Sequence, residues 1–277
     1  MASNTVINTN VLALSAHRNL GIVGNRQTKA NNRLSSGKKI NSAADDAAGL
    51  AISSKMKAQI RGLDMASKNA EDGISLVKTA EGAMEEINNM LTRMRELAVQ
   101  SANATNTDAD RANLELEVAQ LKQEIDGIGT RTEFNTLQVL AKSGVKGNFQ
   151  VGANKGQTID ITNYFKTAIS VSNLGLKSAT VKSATKATSA ISLFDSAIKT
   201  LAARRANLGA LQNRLEYTVK NLNVASENLS AANSRIEDAD MAKEMMNLTS
   251  ANVLQQAATS MLAQANQAPQ SITQLLG

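Results

Sequence analysis

Two stretches of the chain, one in each half, carry an unbroken heptad pattern of apolar residues. In the first, apolar residues recur every three or four positions from Leu63 to Ala98, with a mean step of 3.5 residues. The pattern returns from Leu201 to Ile236, where Arg205 is the one charged member. A period of 3.5 is typical of helices that pack along other helices in a left-handed supercoil. The two stretches are therefore predicted to pack on each other, in a structure built from both ends of the chain.

The composition favours a structural protein over an enzyme. Of the 277 residues 42% are hydrophobic, which is enough for a core, but aromatic residues make up only 2% and there is no Trp. Enzyme pockets are usually lined by apolar and aromatic side chains, which are scarce here. The absence of Cys excludes disulfides and Cys metal sites. No catalytic, cofactor or metal site is predicted.

The net charge of +6 raises the question of a polyanionic partner. The basic residues are scattered, however, and their tightest groups are the pairs 38–39 and 204–205, with no aromatic residues interleaved. Nucleic-acid binding is therefore not expected. No run approaches the ~18 consecutive apolar residues of a membrane span. The first twenty residues lack a charged segment followed by an apolar block, so no cleavable signal peptide is expected.

Capping signals divide the N-terminal half into three helices. The first is expected to end at Gly37, because glycine commonly terminates a helix. The second is expected to begin near 41–42, whose side chains can cap it, and to continue through Gln100. A third is expected to begin at Asp108 and to fold back on the second.

The middle of the chain changes character. Alternating apolar residues around Gly156 predict a β-hairpin at about 145–162. Segment 166–190, rich in Ser, Thr, Lys and Ala, is predicted to be a short exposed surface cap. The second heptad helix follows and breaks near 238–240. An amphipathic helix comes next, and Pro269 is expected to end it or to lie just past its end. The predicted fold class is mainly α: a long antiparallel coiled-coil helix bundle built from both chain ends, with a small β-hairpin region.

Five segments resemble bacterial flagellin, and they occur in that family's order along nearly the whole chain. They are 33–53 (RLSSGKKINSAADDAAGLAIS), 95–100 (RELAVQ), 133–136 (EFNT), 234–242 (SRIEDADMA) and 261–267 (MLAQANQ). The resemblance implies a subunit that polymerises into the flagellar filament for swimming motility. It also implies export to the extracellular flagellum without a cleavable signal peptide.

The resemblance implies a division of the chain into filament layers. Residues 1–42 and 239–277 would form the two halves of the inner filament-core domain. Residues 43–190, including the hairpin and the surface cap, and residues 191–238 would form the two halves of the rod domain. The expected partners are further copies of the chain, an export chaperone, the filament cap and the junction proteins. Only the short segment 166–190 stands where many flagellins insert outer domains.

Two sets of site residues follow from this resemblance. Apolar residues near both ends are expected to form the filament-core interface: Val6, Ile7, Val11, Leu12, Leu14, Leu254, Met261 and Leu262. Arg93, Leu97 and Glu117 match the contacts by which flagellin monomers bind the vertebrate Toll-like receptor for flagellin.

Other classes of protein fit the sequence less well. A zinc protease domain, which some flagellins carry, needs two His one helical turn apart plus a Glu, and this chain has only His17. A hook–filament junction protein would share the terminal helices but usually diverges in the five segments. A secreted coiled-coil adhesin is the remaining alternative. Seeded polymerisation separates these classes, because a filament subunit elongates into long fibres.

Overall fold

The structure is a computed structural model that describes residues 9–141 and 145–276, with side chains described as far as residue 267. The helices are α1 Val11–Ser36, α2 Ala47–Ala102, α3 Asp108–Arg131, α4 Thr162–Phe165, α5 Ala184–Glu237 and α6 Met241–Leu276. The strands are β1 Glu133–Phe134, β2 Leu137–Gln138, β3 Asn148–Gln150 and β4 Thr158–Asp160. The predicted mainly α fold with long helices packed against each other is confirmed.

The chain divides into two compact units. The smaller comprises Met1–Ala58 with Asn228–Gly277, and the larger comprises Gln59–Glu227. The predicted domain limits at 42/43 and 238/239 lie at the breaks between helices, whereas the division between units falls inside α2 and α5. The assignment of these parts to filament layers stays a prediction.

The larger unit is held together by the predicted heptad seam. Ile87, Leu91 and Met94 of α2 and Leu208 and Leu215 of α5 are among its fully buried side chains. The two helices are antiparallel, and α3 adds further apolar side chains to the same core. The heptad prediction is therefore confirmed in this unit.

The charged member of the seam lies at its edge. The Arg205 guanidinium is 3.6 Å from a carboxylate oxygen of Glu81 and 3.7 Å from one of Glu85, both on α2. Its side chain is 30% exposed, so the charge keeps contact with water while its alkyl stem continues the apolar stripe.

Both hairpins of the middle region are antiparallel and short. The predicted one is confirmed, with Phe149 opposite Ile159 in the β3–β4 pair. The β1–β2 hairpin was not predicted. Its two-residue turn places Asn135 and Thr136 at φ 50° and 66°. A β-branched residue such as Thr is rarely found in that left-handed region, and the pair Asn135–Thr136 therefore did not indicate a tight turn.

The prediction of an exposed cap at 166–190 is wrong. Ile169, Leu176 and Val181 are buried in the core of the larger unit, and the chain is already helical from Ala184. The segment crosses α3 so closely that a Cβ on Gly129 would clash with the Ile169 carbonyl oxygen. The buried apolar residues are widely spaced among Ser, Thr and Lys. The average composition of the segment is therefore polar and does not indicate that these positions are buried.

Two predicted helix ends also need correction. Helix α2 begins at Ala47 rather than at 41–42, because the Asp46 carboxylate accepts a hydrogen bond from the Gly49 N–H at 2.9 Å and caps the helix. Helix α6 continues through Pro269 to Leu276 instead of ending there. The end of α1 is as predicted: Gly37 has φ 69° and its N–H bonds to the Arg33 carbonyl.

Candidate assembly surface

Helices α1 and α6 of the smaller unit lie antiparallel along each other. The Gln27 side-chain amide donates to Asn252 Oδ1 at 2.7 Å, and the Arg33 guanidinium is 3.0 Å from Glu244 Oε1. The positions rise along one helix as they fall along the other, which fixes the antiparallel direction.

This helix pair buries few of its own apolar side chains. Val23 and Ala30 are the buried residues of α1, and Ala251 is the buried hydrophobic residue in the described part of α6. Large apolar side chains are instead exposed along both helices. They are Val11, Leu12, Leu14, Ile22, Met241, Met245, Met246, Val253, Leu254 and Met261. Two helices with this much exposed apolar surface need further partners to cover it.

A groove of about 770 Å³ runs between the two helices. Leu12 and Ile22 line it from α1, and Leu254 and Met261 from α6, with Arg26 as a charged member of the wall. We name the exposed apolar residues of α1 and α6, together with this groove, the assembly surface.

Five of the predicted filament-core residues lie exposed on this surface: Val11, Leu12, Leu14, Leu254 and Met261. Leu262 is half-buried, and Val6 and Ile7 lie outside the described residues. The sequence analysis missed Ile22, Met246 and Val253. These residues could have been found from the sequence, because they are apolar and lie outside the main apolar stripe of each helix. A helix with apolar residues on more than one face is expected to pack against more than one partner.

A buried carboxylate holds the junction next to these helices. Glu237, at the end of α5, is 3% exposed. Its carboxylate accepts from Ser53 Oγ at 2.5 Å and lies 2.5 Å from Lys57 Nζ and 3.0 Å from Lys38 Nζ. These partners, chiefly Lys57 and then Ser53, lower the pKa of Glu237 to about 2.

Backbone bonds close the same junction. The Lys39 N–H donates to the Glu237 carbonyl, and the Ala239 N–H donates to the Gly37 carbonyl. The α1–α2 connection is thereby tied to the α5–α6 connection by main chain as well as by charge. The sequence analysis did not single out Glu237, since only the fold shows that its partners are distant in sequence.

Comparison with known families decides what kind of chain this is. The bacterial flagellin N-terminal helical region matches residues 7–144, and the bacterial flagellin C-terminal helical region matches residues 191–276. The chain belongs to the bacterial flagellin family. It is a structural subunit of the flagellar filament rather than a member of an enzyme family.

Similar proteins cover this flagellin almost completely. It is 53% identical over 271 residues to a flagellin of Halalkalibacterium halodurans, with 98% of this chain and 99% of the relative aligned. It is 45% identical over 284 residues to a flagellar filament 33 kDa core protein of Treponema phagedenis, with the same coverage. A crystal structure of Bacillus cereus flagellin, 33% identical, superposes with a TM-score of 0.51 over 60% of this chain and 94% of that one.

This flagellin has no outer domain between the matched regions. Residues 145–190, all described in the structure, hold only the β3–β4 hairpin, the short helix α4, the buried segment and the start of α5. In the described part of the chain, no helix is long and apolar enough to cross a bilayer. No group of three or more potential metal ligands occurs in that same part, where His17 lies exposed on α1.

The predicted receptor residues of this flagellin separate into two environments. Arg93 Nε lies 2.8 Å from Glu117 Oε1, and the same guanidinium is 3.4 Å from Glu96, all on an exposed surface of α2 and α3. Leu97 is only 1% exposed and belongs to the core. Its role as a receptor residue stays a prediction, and in this structure the heptad seam points its side chain inward. The exposed ion pair is what remains available to a partner.

Proposed function

We propose that the assembly surface is where this flagellin packs against further copies of itself in the core of the filament. The observation that carries the proposal is the exposure of large apolar side chains along α1 and along α6 as far as residue 267, including Val11 at 68% and Met261 at 61%. Burial of such side chains contributes about 1.5–3 kcal/mol each. A monomer obtains little of this, whereas a polymer can cover every face of both helices.

The arrangement of charged residues on α1 and α6 allows copies of the subunit to pack closely. Arg33 and Glu244 neutralise each other within the pair, and Lys29 pairs with Asp45 at 2.8 Å. The exposed residues of the assembly surface are mainly Leu, Val, Ile and Met. Neighbouring copies can therefore cover these apolar residues while the Arg26 guanidinium in the groove wall stays in contact with water, which avoids the cost of burying an unpaired charge.

The same proposal assigns the layers of the subunit. Residues 1–42 and 239–277 form the inner filament core, and residues 43–190 and 191–238 form the surrounding rod layer. The further partners are an export chaperone, the filament cap and the junction proteins, which handle the subunit before and during assembly.

Seeded elongation tests this role. Purified subunits added to short filament fragments are expected to extend them into micrometre-long fibres, imaged by electron microscopy. Short rings in place of long fibres would favour the hook–filament junction protein. An unchanged seed length together with soluble, folded subunits would reject the filament role of this surface.

A second function is supported by the Arg93–Glu117 pair. We propose that the monomer binds the Toll-like receptor for flagellin through this exposed surface of α2 and α3. Both side chains are about half exposed, at 51% and 43%.

Replacing Arg93 by Ala is expected to weaken monomer binding to the receptor ectodomain by about 1–3 kcal/mol, since Arg anchors are often among the strongest contacts of an interface. Surface plasmon resonance measures the dissociation constant. The matched control is Lys78→Ala, a loss of one exposed positive charge on the same helix. Equal affinities for the Arg93→Ala variant and the unaltered monomer would overturn the assignment.

A further inference from the structure

Helix α6 passes through a proline without ending. In an α-helix each N–H bonds to the carbonyl four residues earlier, and proline has no N–H to give. Pro269 lies inside α6, which extends to Leu276. The carbonyl that loses its usual donor is therefore that of Ala265.

A side chain from the other terminal helix supplies a donor to that carbonyl. Asn10 Nδ2 donates to the Ala265 carbonyl oxygen at 2.7 Å. The oxygen of the same amide accepts from the Ala13 N–H at 3.0 Å and caps the start of α1. One side chain thus caps the start of α1 with its amide oxygen and supplies, with its amide nitrogen, the donor that α6 lacks.

Few residue types can perform both tasks. Asn, Asp, Ser and Thr are the good caps, because each presents an oxygen to the first turn. Only Asn among them also carries an N–H₂ group that can donate outward while its oxygen caps. Asp has no donor when ionised, and the hydroxyls of Ser and Thr are too short to reach a neighbouring helix from a cap position.

The missing donor also marks one position along α6. The interior carbonyls of a regular helix already accept hydrogen bonds from helical N–H groups. If α1 shifted by one turn along α6, the Asn10 amide would therefore meet a carbonyl that already has a donor. The Ala265 carbonyl is distinguished because the proline lies four residues later. A bond to it therefore favours one register of the α1–α6 pair over its neighbours.

We propose that Asn10 and Pro269 act as a coupled register device, in which the proline frees a carbonyl in α6 and the asparagine recognises it from the start of α1. The device aligns the two helices of the assembly surface as they pair. The experiment that tests this device measures filament growth, and it therefore rests on the proposed role of the assembly surface in the filament.

A double-mutant cycle with Asn10→Ser, Pro269→Ala and their combination tests the coupling. Serine keeps the cap and removes the donor, while alanine restores the helical N–H to the Ala265 carbonyl. The critical concentration for seeded elongation is measured for all four chains. We expect Asn10→Ser to raise it roughly threefold to tenfold with Pro269 present, the usual value of one hydrogen bond, and by less than about twofold with alanine at 269.

The control is Asn25→Ser, an exposed Asn on the same helix, whose effect is expected to be equal in both backgrounds. If Asn10→Ser subunits do not elongate alone, they are mixed as a minority with the unaltered chain, and their incorporation is measured in both backgrounds. An equal effect of Asn10→Ser in the two backgrounds would overturn the inference while leaving the filament role intact. Failure of the unaltered chain to elongate would instead reject the filament role.

Discussion

A single charge on the assembly surface, introduced by Met261→Glu, is expected to abolish filament growth. Met261 is 61% exposed and lines the groove between α1 and α6 with Leu12 and Leu254. Covering a carboxylate with apolar surface costs at least several kcal/mol, because its hydration is lost without a partner. A cost of about 3 kcal/mol already raises the critical concentration more than a hundredfold.

The control for this variant is Met261→Leu, which keeps a similar apolar volume and is expected to elongate seeds at nearly the normal rate. Circular dichroism should show that both variants keep the helical larger unit, since position 261 lies outside it. Normal growth of the Met261→Glu subunits would mean that this face stays in water in the filament.

Loss of the buried carboxylate at the junction should have the next largest effect. Replacing Glu237 by Gln leaves Ser53, Lys57 and Lys38 around a neutral amide. Breaking a fully buried pair costs about 3–5 kcal/mol, and we expect about 2–4 per subunit here because both lysines are partly exposed. The thermal dissociation midpoint of filaments measures the loss. Glu227→Gln, at an exposed position on the same helix, should leave that midpoint nearly unchanged.

The effect should depend on pH with a defined sign. The folded pKa of Glu237, about 2, lies below its ordinary value of 4.5, so the folded state binds the proton less readily than the unfolded chain. The contribution of Glu237 to stability is therefore complete above pH 4.5 and is lost as the pH falls towards 2. The difference between the unaltered chain and Glu237→Gln should shrink across this range. Asp45, whose pKa is also lowered to about 2, is the same in both chains.

The sequence predicted best those parts of the fold that depend on local periodicity. The heptad stripes of α2 and α5 report burial directly, because the 3.5-residue repeat arises only when one face packs along another helix. The β3–β4 hairpin was predictable for the same reason, as alternation around a glycine turn is a local signal. The end of α1 at Gly37 needed only the conformational freedom of glycine.

Features that depend on distant residues could not be predicted. Segment 166–190 has the composition of a surface loop, yet Leu176 and Val181 are fully buried in the core of the larger unit. The Val181 backbone bonds there to Ser101 of α2 and Glu115 of α3. Leu97 was predicted to contact a receptor on the basis of family resemblance, and its place in the seam shows that it faces inward. Glu237 and Asn10 acquire their roles only when the fold brings Lys57 and Ala265 to them.

The two units also differ in how much stability they carry by themselves. The large contiguous core, with Phe194, Leu201 and Val118 among its members, belongs to the larger unit. The α1–α6 pair buries only a few small or medium apolar residues, although ordering each residue costs about 1–2 kcal/mol of backbone entropy. We therefore expect the terminal segments to become ordered only when other subunits cover them, so that their folding and assembly are one event.

Hydrogen exchange on the monomer and on the filament tests this central claim most directly. In the monomer, fast exchange is expected across 1–40 and 240–277, with protection of 63–98 and 201–236. In the filament, both terminal segments should become protected, including the amides of α1 and α6. Slow exchange across the termini of the monomer, before any polymerisation, would contradict the account.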